Sequence, residues 1–245
     1  MVPVQEGYII QKSIVRHPIG GDYVTEHFYQ GIKNRVNILP SYSFTKIMRN
    51  CYAEPGQVQP NIELSIEKKH FPNTDNTYHD FAVKEIINNI KESKFRISEN
   101  PIQETERVHY RLPDDTILEL GNERFRIPEV FFTGNEEYPG FFGVHQMVYD
   151  CLNKCNINVK RELYGNMILT GGNSLFEGFS EKFSRKVQDL APIGVKTRVL
   201  ATNTRKYSTW IGGSILGMLQ GFKSIWVSKQ DYEETGVLVM DKKCA

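Results

Sequence analysis

The sequence predicts an α/β fold in which strands and helices alternate along the chain. Two observations carry that expectation. Segments with apolar residues at helical spacing recur between short apolar runs of strand character. One of those runs, Met167-Ile168-Leu169, passes almost directly into the pair Gly171-Gly172 before helical spacing resumes. At 245 residues the chain can form one large domain or two smaller ones, each with a core.

Taken in order, the opening reads as strand through Val2, Val4, Tyr8, Ile9 and Ile10, continues at Ile14 and Val15, and turns at Pro18-Ile19-Gly20-Gly21-Asp22. A helix follows through Phe28 and Ile32, with Asp22 or Thr25 as its cap. Residues 50–79 are polar and carry Pro55-Gly56, Pro60 and Pro72-Asn73, so they read as an irregular surface excursion. From Asp80 to Lys91, Phe81, Ile86, Ile87 and Ile90 give one apolar face, with Lys84, Asn88 and Glu92 mostly opposite. Phe95, Ile97, Val108, Tyr110 and Leu112 read as strand segments. Pro113-Asp114-Asp115-Thr116 reads as a turn into a second strand at 117–120. Val144, Met147, Val148 and Leu152 place a helix over 143–153. A buried strand is expected over 166–170 and a further helix over 176–190.

Composition excludes several classes of function. Thirty basic against 29 acidic residues leave a formal net charge of +1, which gives no general steering towards nucleic acid or an anionic membrane. No apolar run approaches the roughly 20 residues a bilayer requires; the longest, around 211–219, is broken by Gly212, Gly213 and Gly217. The N-terminus lacks the basic-then-apolar order of a signal peptide. Cys51, Cys151, Cys155 and Cys244 are too scattered for a disulfide framework, which points to a reducing compartment, cytosol or nucleus. Cys151 and Cys155 stand at i,i+4 near His145, short of the four or so ligands a closed zinc site needs. No metal is expected.

The strand–Gly-Gly–helix junction at 167–183 is the most informative local feature. Two glycines let a backbone approach a ligand closely, and a helix N-terminus would offer free N–H groups to a phosphate or a polar ring edge. Such a junction also serves simple tight packing, so context has to decide.

Five stretches, in this order, resemble the actin family: Val-Pro-Val-Gln-Glu-Gly-Tyr (2–8), Gly-Asn-Glu-Arg-Phe-Arg-Ile-Pro-Glu (121–129), Leu-Thr-Gly-Gly-Asn-Ser-Leu-Phe-Glu-Gly-Phe (169–179), Arg-Lys-Tyr-Ser-Thr-Trp-Ile-Gly-Gly-Ser-Ile-Leu (205–216) and Trp-Val-Ser-Lys-Gln-Asp-Tyr-Glu-Glu-Thr-Gly (226–236). The likeness weakens only at about 41–79 and 131–139. It implies the actin-like ATPase fold, which is ribonuclease-H-like, with this chain corresponding to the C-terminal two-thirds and the N-terminal half missing. The implied parts are a large ribonuclease-H-like subdomain (1–20 and 138–207) and an inserted small α/β subdomain (21–137). Residues 208–245 would be a C-terminal segment of the subdomain whose N-terminal part is absent. Pro18-Ile19-Gly20-Gly21-Asp22-Tyr23 looks like the Pro-Leu-Ala-Gly-Asp-Phe of nuclear actin-related proteins in chromatin-remodelling and histone-acetyltransferase complexes. Val108-His109-Tyr110 and the enlarged 41–79 region point the same way. Lys91-Glu92 and Arg205-Lys206-Tyr207-Ser208 look more like conventional actin.

Matched position by position, the resemblance implies adenine and ribose contacts at Gly21, Lys91, Glu92, Gly171, Gly172, Asn173, Leu175, Phe176 and Lys206. Lysine stems can lie beside a base, and a carboxylate can accept a ribose hydroxyl. Leu175 and Phe176 replace the family's Met and Tyr, and Asn88 stands where actins have Arg. Leu175 and Phe176 as core, with Lys91-Glu92 as a solvated face, remains open. The implied cofactor is ATP or ADP in the whole-length protein. With half the cleft walls outside this sequence, binding by this chain alone is doubtful, because a typical pocket buries about 70–90% of its ligand. The family's phosphate loops, cation-binding Asp and water-positioning residues precede the match at Val2, so no catalytic residue and no ATPase activity are expected. Gly7, Tyr8, Ile211, Ile215, Leu216, Leu219 and Ile225 match the family's apolar cleft for an amphipathic partner helix, with Ile211, Ile215 and Leu219 on one helical face. The bland alternative is ordinary core. The implied function is a non-catalytic structural subunit of a nuclear chromatin-remodelling or histone-modifying complex. Its partners would be the helix of a remodeller ATPase or scaffold subunit, and actin itself. The alternative is a fragment of a filament-forming, ATP-hydrolysing actin of the cytoskeleton. A sugar kinase of the same superfamily is disfavoured by the 205–236 match.

Overall fold

The computed structural model describes residues 1–51, 61–100, 105–134 and 136–243. The chain divides into two compact units, Met1–Ile168 with Phe176–Leu200, and Leu169–Leu175 with Ala201–Ala245.

The first unit opens with a two-residue antiparallel hairpin, β1 (Val4–Gln5) against β2 (Tyr8–Ile9), turned through Glu6 and Gly7 in left-handed conformations. The opening strand is therefore shorter than its apolar residues suggest; Met1 and Val15 add reciprocal backbone bonds beside it. Helix α1 (Gly21–Ile32) buries Val24, Phe28 and Ile32, at i, i+4 and i+8, against Val83, Ile87 and Ile90 of α2 (Asn76–Lys94). Neither Asp22 nor Thr25 caps α1. Gly20 is the cap residue, and the Thr25 hydroxyl, a turn inside the helix, lies 2.9 Å from Gly21 O and 2.8 Å from Asn88 Oδ1, with its one proton shared between these acceptors. Helix α2 starts at Asn76, four residues before the expected start at Asp80, because Asp75 accepts from the Thr77 N–H at 2.8 Å.

The region read as an irregular excursion contains a regular hairpin. Strand β3 (Phe44–Cys51) pairs antiparallel with β4 (Asn61–Lys68), from Phe44↔Lys68 to Cys51↔Asn61. The correction has a visible cause: Ile62, Leu64 and Ile66 alternate with polar residues, the strand period, inside an otherwise polar stretch. Pro55, Gly56 and Pro60 lie outside the described residues. Strands β5 (Val108–Arg111) and β6 (Ile117–Leu120) form the expected hairpin, with Asp114 accepting from the Thr116 N–H and hydroxyl. Phe95 and Ile97 enter only an isolated bridge between Arg96 and Glu177. Short helices α3 (Glu123–Arg126) and α4 (Val130–Thr133) follow, then α5 (Val144–Asn153), α6 (Ile157–Gly165) and α7 (Phe179–Leu190).

Helices α5 and α7 pack together, burying Val148, Cys151, Leu152, Phe183 and Val187. Beside them Lys182, 3% exposed, donates to both Glu129 oxygens at 2.6 and 2.8 Å and to Ser98 O at 2.7 Å. Burial pushes the Glu129 carboxyl up, while Lys182 and Lys186 pull it down. Gly178 caps α7 at φ +82°, and a Cβ there would meet Ile97 O at 2.2 Å, so only glycine fits. Strand β7 (Met167–Ile168) pairs in parallel with β8 (Val199–Leu200) across the α7 crossover. This strand is shorter than expected and not buried: Ile168 is exposed, because the pair has no third strand among the described residues. Mixed helices and strands make this an α/β chain, with every described sheet two-stranded.

The second unit holds the turn Gly172–Leu175 and helices α8 (Ser208–Met218), α9 (Lys229–Thr235) and α10 (Leu238–Lys243). Ser228 and Asp231 form a reciprocal capping box for α9. Lys243 returns to Asp231 at 3.0 Å and to Trp226 O at 2.8 Å. Val239 is the one buried large apolar side chain of this unit among the described residues.

Candidate functional site

The Gly171-Gly172 junction does not run directly into a helix. Gly172–Leu175 is a single 3-10 turn, and the helix proper starts only at Phe179. The expected free N–H groups of a helix N-terminus therefore do not adjoin the glycines. A dense polar lattice fixes the turn instead. Thr170 Oγ1 and Gly171 N–H both donate to Arg205 O at 3.0 Å. Ser174 donates to Gly171 O through its hydroxyl at 2.6 Å and its N–H at 3.2 Å. The buried Arg205 guanidinium donates to Ser174 Oγ at 3.0 Å, Ser174 O at 2.9 Å and Thr202 O at 2.8 Å. Neither Arg205 nor Ser174 stands out in the sequence as a site residue; a buried cation satisfied by carbonyls and a hydroxyl leaves no pattern.

Of the expected nucleotide contacts, Gly171, Gly172, Asn173, Leu175 and Lys206 lie together in the second unit. Gly171, at φ +98°, needs glycine. A Cβ on Gly172 would sit 3.9 Å from Lys206 Cγ, so the lysine stem runs alongside an exposed glycine backbone. A bare backbone edge next to an aliphatic stem is a surface against which one face of a flat ring could lie.

Gly21, Lys91, Glu92 and Phe176 belong to the first unit. Lys91 is 6% exposed, and its ammonium donates to Thr25 Oγ1 at 2.8 Å, Asn88 Oδ1 at 3.0 Å and Gly21 O at 3.2 Å. These are neutral acceptors joining α1 to α2. Asn88, where the family carries Arg, supplies an acceptor in place of a second cation beside Lys91. Glu92 is exposed. Phe176 is buried, with its ring 6.4 Å from Phe95 and 6.5 Å from Phe131, and is part of the aromatic core, whereas Leu175 is exposed.

The residues matching a partner-helix cleft also divide. Gly7, at φ +86°, and Tyr8, 80% exposed, lie on the first unit's hairpin. Ile211, Ile215, Leu216 and Leu219 are exposed in the second unit. Helix α8 ends at Met218 and Leu219 is its extended cap residue, so Ile211 and Ile215 share a helical face that Leu219 does not continue. The side chain of Ile225, like Cys244, lies outside the described residues. The Cys151, Cys155 and His145 trio is spent in packing. Burial pushes the Cys151 thiol up, Cys155 donates to Cys151 O at 3.4 Å, and burial holds the His145 ring below its ordinary pKa.

The actin family model matches residues 1–245. The chain belongs to the actin family. Relatives within it include actin-related protein 4 of Arabidopsis thaliana, 32% identical over 263 residues, covering 99% of this chain and 57% of that protein. Actin-related protein 4 of Oryza sativa subsp. indica and of subsp. japonica are each 32% identical over 261 residues, covering 98% of this chain and 57% of those proteins. This actin-family chain thus spans just over half the length of the relatives it matches. No helix among the described residues is long and apolar enough to cross a membrane.

Proposed function

We propose that this actin-related chain is a non-catalytic structural subunit of a nuclear chromatin-remodelling or histone-modifying complex, held there by an amphipathic helix of a remodeller ATPase or scaffold subunit. The reading rests on the likeness to actin-related protein 4, of which the chain covers 57%, and on α8, an apolar helix with Trp210, Ile211, Ile215, Leu216 and Met218 exposed in this chain, a surface that the remainder of the whole-length protein and a partner helix would cover between them. A patch of that kind marks an interaction surface, and a helix laid on it is the economical cover. The likeness to actin-related proteins over nearly the whole chain and the Pro18–Tyr23 signature support the nuclear assignment. The Gly171-Gly172 edge with the Lys206 stem is the base-holding part of an ATP or ADP site that the whole-length protein completes; it supplies no group for hydrolysis.

Tagged protein purified from its native source tests the reading. Co-purification with a remodeller ATPase subunit, lost in Ile215→Asp with Leu216→Asp, is the expected result. Sedimentation as filaments in Mg-ATP, with no such subunit recovered, would establish the alternative favoured by Arg205-Lys206-Tyr207-Ser208, a piece of a filament-forming, ATP-hydrolysing actin.

A further inference from the structure

We propose that Arg205 is the positioning residue of the base-holding edge: its guanidinium fixes the Gly171–Ser174 turn so that the exposed glycine backbone and the Lys206 stem present one continuous surface to a purine. The inference rests on the adenosine reading above and assigns a role to a residue outside that ligand set.

Three features lead there. Leu169–Leu175 groups with Ala201–Ala245 and not with β7 or α7, its immediate chain neighbours. Something must tie it across, and Arg205 is the hub of the polar lattice that does so. Its carbonyl receives Thr170 and Gly171, while its side chain holds Ser174 through both the hydroxyl and the carbonyl. The same guanidinium grips Thr202 O and reaches Ala201 O, closing the loop that delivers residue 206. A planar fork with five donors spans acceptors in several directions at once, which an ammonium cannot do. Arg205 is also sequence-adjacent to Lys206, whose stem passes 3.9 Å from the position of a Gly172 Cβ. The fork therefore sets both halves of the surface.

Among the described residues, the hydrogen-bond partners of this buried cation are carbonyls and one hydroxyl, with no carboxylate. Such a charge, 9% exposed, is retained at the cost of its desolvation. Fixing a backbone edge to a geometry that a rigid flat ligand requires is a use that matches this cost. Arg205 does not touch the ligand in this scheme. It acts through Gly171, Gly172 and Lys206.

The test uses the whole-length protein that contains this chain, with ATP and inorganic tripolyphosphate as separate probes, alongside amide hydrogen exchange. Arg205→Met is expected to weaken ATP at least about tenfold while leaving tripolyphosphate unchanged. Arg205→Lys should recover only part of the loss. Ser174→Ala, which keeps the guanidinium but removes one acceptor, should weaken ATP about threefold and covers the case in which Arg205→Met misfolds. The Gly171 and Ser174 amides should lose protection in Arg205→Met while α1 and α2 keep theirs. Wild-type affinity for ATP in all three variants would overturn the role and leave the adenosine site standing. A wild-type whole-length protein that binds no ATP would remove the adenosine site and this role together.

Discussion

Helices α1 and α8 both carry apolar residues at helical spacing, yet they end in opposite environments. Val24, Phe28 and Ile32 of α1 are at most 1% exposed, packed on α2. Trp210 and Met218 of α8 are 73% and 87% exposed. The difference is written in the other faces. α1 carries Asp22, Glu26, His27 and Gln30 on its remaining sides, so one partner suffices. α8 has no charged residue at all; Ser208, Thr209, Gly212, Gly213, Ser214 and Gly217 fill its other positions. A helix that is apolar all round is built to be covered on several sides. Its three glycines, each costing about 1 kcal/mol relative to Ala, make such packing its main source of stability. Apolar spacing thus tells which surface wants cover, and the polar remainder tells how many neighbours will supply it.

That contrast can be broken at both ends. Phe28→Ala removes a ring that is fully buried and 4.8 Å from Phe95, and should cost about 3–5 kcal/mol of the first unit's stability, read by denaturant unfolding. A loss under 1 kcal/mol would mean that the α1–α2 contact is far looser than its burial implies. Next, Gly178→Ala should cost about 1–3 kcal/mol from the left-handed backbone alone, with the Ile97 carbonyl adding to it. In α8 the same kind of change should be nearly silent. Leu216→Ser with Met218→Ser should move the stability of this chain by no more than about 0.5 kcal/mol, while lowering light scattering at high concentration.

The smallest effect concerns acid. The Ser228 N–H, Lys243 and the Ser228 hydroxyl hold Asp231 at about 2, below its usual 3.8. A depressed carboxylate contributes stability that is complete above its unfolded pKa and fades as pH falls through the folded value. The α9–α10 tie should therefore stay intact to about pH 4 and loosen between pH 4 and 2, read by amide exchange in 228–243; Asp231→Asn should abolish that step.

Much of the architecture was readable because single residues carried the signal. The i, i+4 spacing of Phe28 and Ile32 marked α1, and Pro113–Thr116 marked the β5–β6 turn. Strand β4 was hidden, since its alternation sits inside a polar, proline-marked stretch whose composition dominated the reading. The start of α2 depended on Asp75, a cap too far ahead of the first apolar residue to be linked to it. In the candidate site, Gly171 was legible because its backbone conformation demands glycine, whereas Lys91 and Lys206 came from the family resemblance alone, and Lys91 is a buried tie between α1 and α2. The supporting lattice was not legible. Ser174 and Arg205 meet 31 residues apart, and a guanidinium bonded to carbonyls has no periodicity to betray it.

The grouping of the Gly171–Ser174 turn with α8 has a thermodynamic corollary. Both belong to one small unit with Val239 as its one buried large apolar side chain among the described residues, so neither has a deep core to insulate it from the other. If docking on α8 stiffens that unit, a purine arriving afterwards finds part of the ordering already done. Linkage then requires the nucleotide to tighten the docked helix by the same factor. Under the proposed reading, a nucleotide held there would act as a clasp on assembly whether or not it is hydrolysed.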